Sequence, residues 1–221
     1  MRSVSELIDN DDPAWPVVME WIASAKNSVV ILPADPVRAE DALYKIQVTT
    51  RSPMGSIVYK TGGLLVDDGW IRILGSGSIQ LPRTLPDWNN NTILHNDDQP
   101  PGLLLIADDA IGGFFILNGG RLGDDRGHVY YLSPATLEFE PLSITYSEFL
   151  NFCFQADLAE FYEGLRWENW REEVKHLAGD RVFSFYPFLW TAEGRNMAAL
   201  SRTTIPIEEH FRLMWGMNDP Q

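Results

Sequence analysis

The chain has 221 residues, 45% hydrophobic and 22% charged, the balance of an ordinary globular domain, so disordered and fibrous classes are excluded. Thirty-one acidic side chains outweigh seventeen basic ones, for a formal charge of −14 and a pI near 4.6. A field of that sign repels phosphate backbones and anionic lipid, so DNA, RNA and membrane surfaces are poor partners. No apolar run reaches the ~18 residues of a membrane span. The opening MRSVSELIDNDDPAW has no apolar core, so no signal peptide is expected. One cysteine cannot form an internal disulfide, which fits a reducing cytoplasm, the expected location.

Taken in order, Ser3 and Glu6 have capping-box spacing and predict a short helix. Asp12 with Pro13 predicts the cap of a second helix, with Trp15, Val18, Met19, Ile22 and Ala25 on one face. Residues 29–32 read as a strand. Asp35-Pro36 opens a third helix and Ser52-Pro53 a fourth, with Gly62 as its left-handed cap, although Ile57-Val58-Tyr59 also suits a strand. Residues 64–66 and 70–74 form a hairpin around Asp67-Asp68-Gly69. The following Gly, Pro and Asn residues predict one long loop. Strands are expected at 103–107, ending in a turn at Asp108-Asp109, then at 114–117, 129–132 and 137–142. Helices return over 143–164 and 166–177. Residues 182–190 read as an extended aromatic segment, and a last helix runs from Pro206 to Gly216. Helices first, strands in the middle and helices last predict an α+β fold: a central antiparallel sheet of about five to six strands flanked by N-terminal and C-terminal helices. No linker or repeat divides the chain, so a single domain, 1–221, is expected.

Few residues carry recognisable chemistry. Cys153 lies in an apolar helix and reads as a core residue. The four histidines show no HxxxH or HxH spacing and no CxxC occurs, so no metal site is expected. Gly75-Ser76-Gly77 lacks the third glycine of a dinucleotide fingerprint, and Gly119-Gly120 has no following lysine-serine pair, so no cofactor is expected. The doublets Asp67-Asp68, Asp97-Asp98, Asp108-Asp109 and Asp124-Asp125 stand out. Paired carboxylates can bind calcium or serve as acid and base on a sugar, and eight tryptophans could supply aromatic platforms. Doublets also mark exposed hairpin turns, where Asp bonds its own backbone. The acid is concentrated: residues 85–165 hold thirteen Asp and Glu against only Arg121 and Arg126.

Several strings resemble the SUKH superfamily: Ile31-Leu32-Pro33-Ala34-Asp35, Tyr59-Lys60-Thr61-Gly62-Gly63 with Thr61 where an Asn is usual, LLIADDAIGGFF from Leu104 to Phe115, His128-Val129-Tyr130 with Ser133-Pro134, and Tyr146-Ser147-Glu148-Phe149-Leu150. The resemblance covers residues 29–154, and residues 166–221 form a C-terminal extension on that core. It implies a non-enzymatic module, including immunity proteins that neutralise a nuclease-type toxin.

Two functions are therefore expected as alternatives. One is a protein-binding module that takes a basic partner on an acidic face of Asp67, Asp68, Asp108, Asp109, Asp124 and Asp125, with Trp70 and Trp88 as aromatic anchors. The other is a small-molecule or sugar binder, or hydrolase, with a Trp-lined pocket and one carboxylate pair. Monomer and homodimer both remain open.

Overall fold

The computed structural model describes residues 1–91 and 102–218. Its centre is a seven-stranded antiparallel sheet in which every strand lies beside its sequence neighbours, in the order β1 (Val29–Pro33), β2 (Thr61–Val66), β3 (Ile71–Leu74), β4 (Leu103–Asp109), β5 (Phe114–Asn118), β6 (His128–Leu132) and β7 (Phe139–Thr145). The sheet is wider than expected because each predicted strand, the N-terminal one included, joins it.

Helix starts follow their caps. In α1 (Val4–Leu7) the Ser3 amide donates to the Glu6 carboxylate at 2.7 Å. In α3 (Pro36–Ile46) Asp35 accepts from the Arg38 amide, and in α4 (Pro53–Lys60) Ser52 accepts from the Gly55 amide, each with proline in the first turn. Between α1 and α3 lies α2 (Trp15–Ala23), which begins later than Asp12 predicts. The amides of Asp11 and Asp12 fold onto the Asp9 carboxylate, so that segment is spent on a turn. Nor does α4 end in a glycine cap: its C-cap is Thr61, in extended backbone, and Gly62 already belongs to β2.

The predicted loop after β3 contains a helix, α5 (Leu85–Asn91), which buries Leu85 and Trp88. After β7 come α6 (Tyr146–Gln155), α7 (Leu158–Phe161) and α8 (Trp170–Lys175). The extended segment is β8 (Arg181–Tyr186), paired with an unpredicted β9 (Ser201–Pro206) in a second, two-stranded sheet, and α9 (Ile207–Asn218) follows.

Strand alternation sends neighbouring aromatic residues to opposite layers. Phe115 meets Phe149 of α6 at 4.8 Å between ring centroids, whereas Phe114 meets Phe211 of α9 at 5.0 Å. One face thus carries α6 and α7, the other α9 and the β8–β9 ribbon. The ribbon is tied to the sheet end by a backbone bond from Phe183 to the Ala110 carbonyl, and its own open end is closed by one from Ile207 to the Asp180 carbonyl. Among the described residues no helix is long and apolar enough to cross a membrane.

Candidate functional site

The nominated residues divide between the two ends of the sheet. The β2–β3 turn and the end of β4 share one end, where Ile71 pairs with Asp109. Asp124 and Asp125 lie in the β5–β6 connection at the other, about 20 Å away at ~3.3 Å per residue along seven-residue β4. Asp97-Asp98 lies outside the described residues. The three remaining doublets thus do not gather at one end of the sheet.

Burial separates them further. Asp108 and Asp109 are both 0% exposed, because β4 runs through them and the turn falls at residues 110–113 instead. Asp108 receives Arg72 Nε at 2.6 Å and Arg83 Nη1 at 2.5 Å. The same guanidiniums donate to backbone carbonyls of the next layer, Arg72 to Arg181 and Arg83 to Gly179. Asp109 instead accepts from the hydroxyls of Tyr131 (2.6 Å) and Tyr162 (3.0 Å) and from the amides of Ile111 and Gly113. Burial raises the Asp109 carboxyl above its usual range despite these donors, and pushes both tyrosines well above theirs. These two carboxylates fasten layers and are not available to a partner.

Asp67 and Asp68 do form the predicted turn, with Gly69, all three at positive φ (51°, 60° and 91°), a backbone that Asp tolerates and Gly prefers. Asp67 is nearly buried and holds Arg166 at 2.6 Å, and Asp68 meets Arg171 at 3.3 Å. The Arg166 guanidinium lies over the rings of Trp70, Tyr162 and Trp170. Trp70 and Trp88 are core residues, 0% and 3% exposed, and not surface anchors. Asp125 is held by Asn118 and Tyr130, which leaves Asp124 as the exposed one of these nominated residues.

The three doublets among the described residues therefore provide no converging acid–base pair for a sugar. Five tryptophans (70, 88, 167, 170 and 215) are buried. Cys153 is buried as expected, and burial pushes its thiol well above the ordinary value. Among the described residues, no group of His, Cys, Asp and Glu is arranged to hold a metal ion.

Two surface features lie beyond the doublets, one inside the acidic stretch 85–165 noted from the sequence and one that the sequence does not signal. The first is an acidic flank. Residues 127–165, which form β6, β7, α6 and α7, contain six carboxylates and no lysine or arginine. Glu138, Glu148, Asp157, Glu160 and Glu163 are exposed and Glu140 is half-buried. None is ion-paired among the described residues. Glu148 and Asp157 cap their own helices, and the Thr145 backbone and hydroxyl hold the Glu148 carboxyl below its usual range. The second is a set of clefts. One of about 370 Å³ lies between the β2–β3 turn and residues 174–180. A more apolar one of about 680 Å³ lies beside Pro33, Pro36 and the fully exposed Ile79. A third, of about 550 Å³, is walled by residues 164–169 and 195–202. The alternation of charge types along the sequence signals none of these clefts, because their walls come from distant segments.

The model of a family described as protein of unknown function DUF2625 matches residues 4–210. The chain belongs to that family. It is 43% identical to the uncharacterised YbfG protein of Escherichia coli K12, over 99% of this chain and 98% of YbfG. It is 41% identical to an uncharacterised protein of Haemophilus influenzae, over 96% of this chain and 93% of that one. The family match extends through the ribbon and into α9, so the C-terminal layer belongs to the family's shared chain as much as the sheet does.

Proposed function

We propose that this protein is a binding module for a basic protein, which it meets on the acidic flank formed by β7, α6 and α7. The observation that carries the reading is the composition of residues 127–165: six carboxylates, no lysine or arginine, and no ion pair among the described residues. Glu138 lies in the β6–β7 turn and Glu140 at the start of β7, while Asp157 caps α7, Glu160 lies within it and Glu163 follows it, beside the Tyr162 that reaches Asp109. The contact face thus differs from the one expected from the doublets, while its charge is the same. Uncompensated charge on a molecule of net −14 accelerates encounter with a cationic surface and disfavours anionic ones. β7 is also the last strand of its sheet, and an unpaired strand edge is a common place for a partner to align. The resemblance to the SUKH superfamily supplies a narrower version, in which the basic partner is a toxin with a phosphate-binding surface.

The test compares the tagged wild type with a Glu138→Gln, Glu160→Gln, Glu163→Gln variant, three exposed residues with no capping duty. Capture from the native cell is expected to yield a basic protein with the wild type in low salt only. Salt near 1 M, where the Debye length is ~3 Å, is expected to release it. The variant is expected to fold normally and to lose the partner. Equal capture by both forms, or retention at high salt, overturns the reading.

A further inference from the structure

One cleft gathers three arginines. Its wall of about 550 Å³ includes Arg166, Arg195 and Arg202, with the carboxamides of Asn169 and Asn196, and Glu168 is its one carboxylate. Two of the three guanidiniums are fixed in place. Arg202 forms a fork to Glu173, with Nε at 2.8 Å and Nη2 at 2.5 Å, and lies over the Trp167 ring at 4.7 Å. Arg166 is held by Asp67 and by three aromatic rings, and its buried Nε has no hydrogen-bond partner. Arg195 differs: it is exposed, and no ion pair holds it among the described residues. Asp67 and Glu173 neutralise the two fixed guanidiniums, so Arg195 is the arginine of this wall that no carboxylate holds among the described residues, with the carboxamides of Asn169 and Asn196 beside it.

We propose that this cleft binds a small organic phosphate. Arginine forks match the oxygens of phosphate in planar, charge-assisted pairs, and donors already positioned lose little entropy on binding. The cleft is far larger than one phosphate ion, and the nearly buried Trp167 and Met197 supply an apolar part of its wall for an organic body. The cleft is open to solvent, and the negative field of the whole molecule disfavours a nucleic-acid backbone there. Within the cleft, Arg195 is the closing arm and Glu168 an opposing charge.

Titration calorimetry with ribose 5-phosphate tests this, with ribose and inorganic phosphate as controls. The wild type is expected to bind ribose 5-phosphate, to bind inorganic phosphate more weakly, and to ignore ribose. Arg195→Gln, an exposed change expected to leave the unliganded melting temperature unaltered, should weaken binding by roughly ten-fold or more, the loss of one hydrogen bond to a charged group. Glu168→Gln should tighten it by removing a like charge. Absence of binding, equal binding of ribose, equal binding of inorganic phosphate, or an Arg195→Gln protein that binds like the wild type overturns the proposal. None of these outcomes depends on the acidic flank, so the two readings stand or fall separately.

Discussion

Asp108 and Asp109 are adjacent on β4 yet serve opposite faces of the sheet. Asp108 gathers Arg72 and Arg83, which reach on to the carbonyls of Arg181 and Gly179 and so fasten the β8–β9 side. Asp109 gathers Tyr131 of β6 and Tyr162, just past α7, on the other side. The two-residue period of a strand turns one acidic doublet into two separate fastenings, each in the dry interior, where an ionic group stabilises only if it is fully satisfied.

Replacement of Asp108 by Asn should be severe. Arg72 and Arg83 would both stay buried, at 3% and 8% side-chain exposure, without their counter-charge. Breaking a buried ion pair from one side typically costs about 3–5 kcal/mol. Urea unfolding at neutral pH is expected to show a loss of that size, and a loss below ~1 kcal/mol would mean that solvent reaches the cluster.

Asp109 should show itself through pH. Its carboxyl is raised in the native state by burial, so the native protein holds that proton more tightly than the unfolded chain does. The resulting stabilisation is present below the ordinary carboxylate range and disappears as pH rises through the native value. In Asp109→Asn this contribution is absent. Unfolding free energies measured from pH 4 upward should therefore show the wild type losing ground relative to the variant as pH rises. A constant difference between the two would refute the shift.

Much of the fold is legible in the sequence where a local rule decides. Ser3, Asp35 and Ser52 cap the helices that their spacing predicts, and the Asp67-Asp68-Gly69 turn forms as written. The failures arise where distant contacts outweigh local preference. Asp108-Asp109 has turn composition, but burial against two arginines and two tyrosines keeps it in a strand. β9 carries Ser201, Arg202, Thr203 and Thr204, a polar run with no hydrophobic period, and becomes a strand because β8 offers it a pairing edge. The acidic character of residues 85–165 is visible at once, but which carboxylates are exposed depends on the layers above and below the sheet. The arginine cleft joins residues 164–169 to 195–202, and spacing along the chain says nothing of it.

His210 offers a second pH signature. It is 4% exposed, lies against Phe114 and Gly112, and neither ring nitrogen has a hydrogen-bond partner. Burial lowers its pKa from 6.5 to about 4, partly opposed by the Gly112 backbone. The native state thus excludes a proton that the unfolded chain accepts, so this contribution to stability is complete above pH 6.5 and is lost as pH falls toward 4. At ~1.4 kcal/mol per pKa unit it amounts to about 3 kcal/mol. The ring resonances of His210, followed by NMR, should stay in the neutral form at pH 5. Protonation of this ring near pH 6.5 would show that water or an unseen acceptor reaches it.

Arg166 links the β2–β3 turn to the C-terminal layer through charge and ring contact together. Its guanidinium sits 4.2 Å from the Trp170 ring centroid, 4.7 Å from Trp70 and 5.1 Å from Tyr162, while Nη2 donates to Asp67 at 2.6 Å. Lysine in its place would keep the charge but not the planar surface that three rings contact, nor the geometry that lets one group stack and donate at once. Arg166→Lys is expected to lower stability by about 1–2 kcal/mol. Arg171 is the exposed comparison: its side chain is 57% exposed, lies over one ring only (Trp170, 4.3 Å) and meets Asp68 at 3.3 Å, so Arg171→Lys should change stability by less than ~0.5 kcal/mol. Equal effects of the two substitutions in thermal unfolding would mean that charge alone, and not the ring cage, holds the turn against the layer.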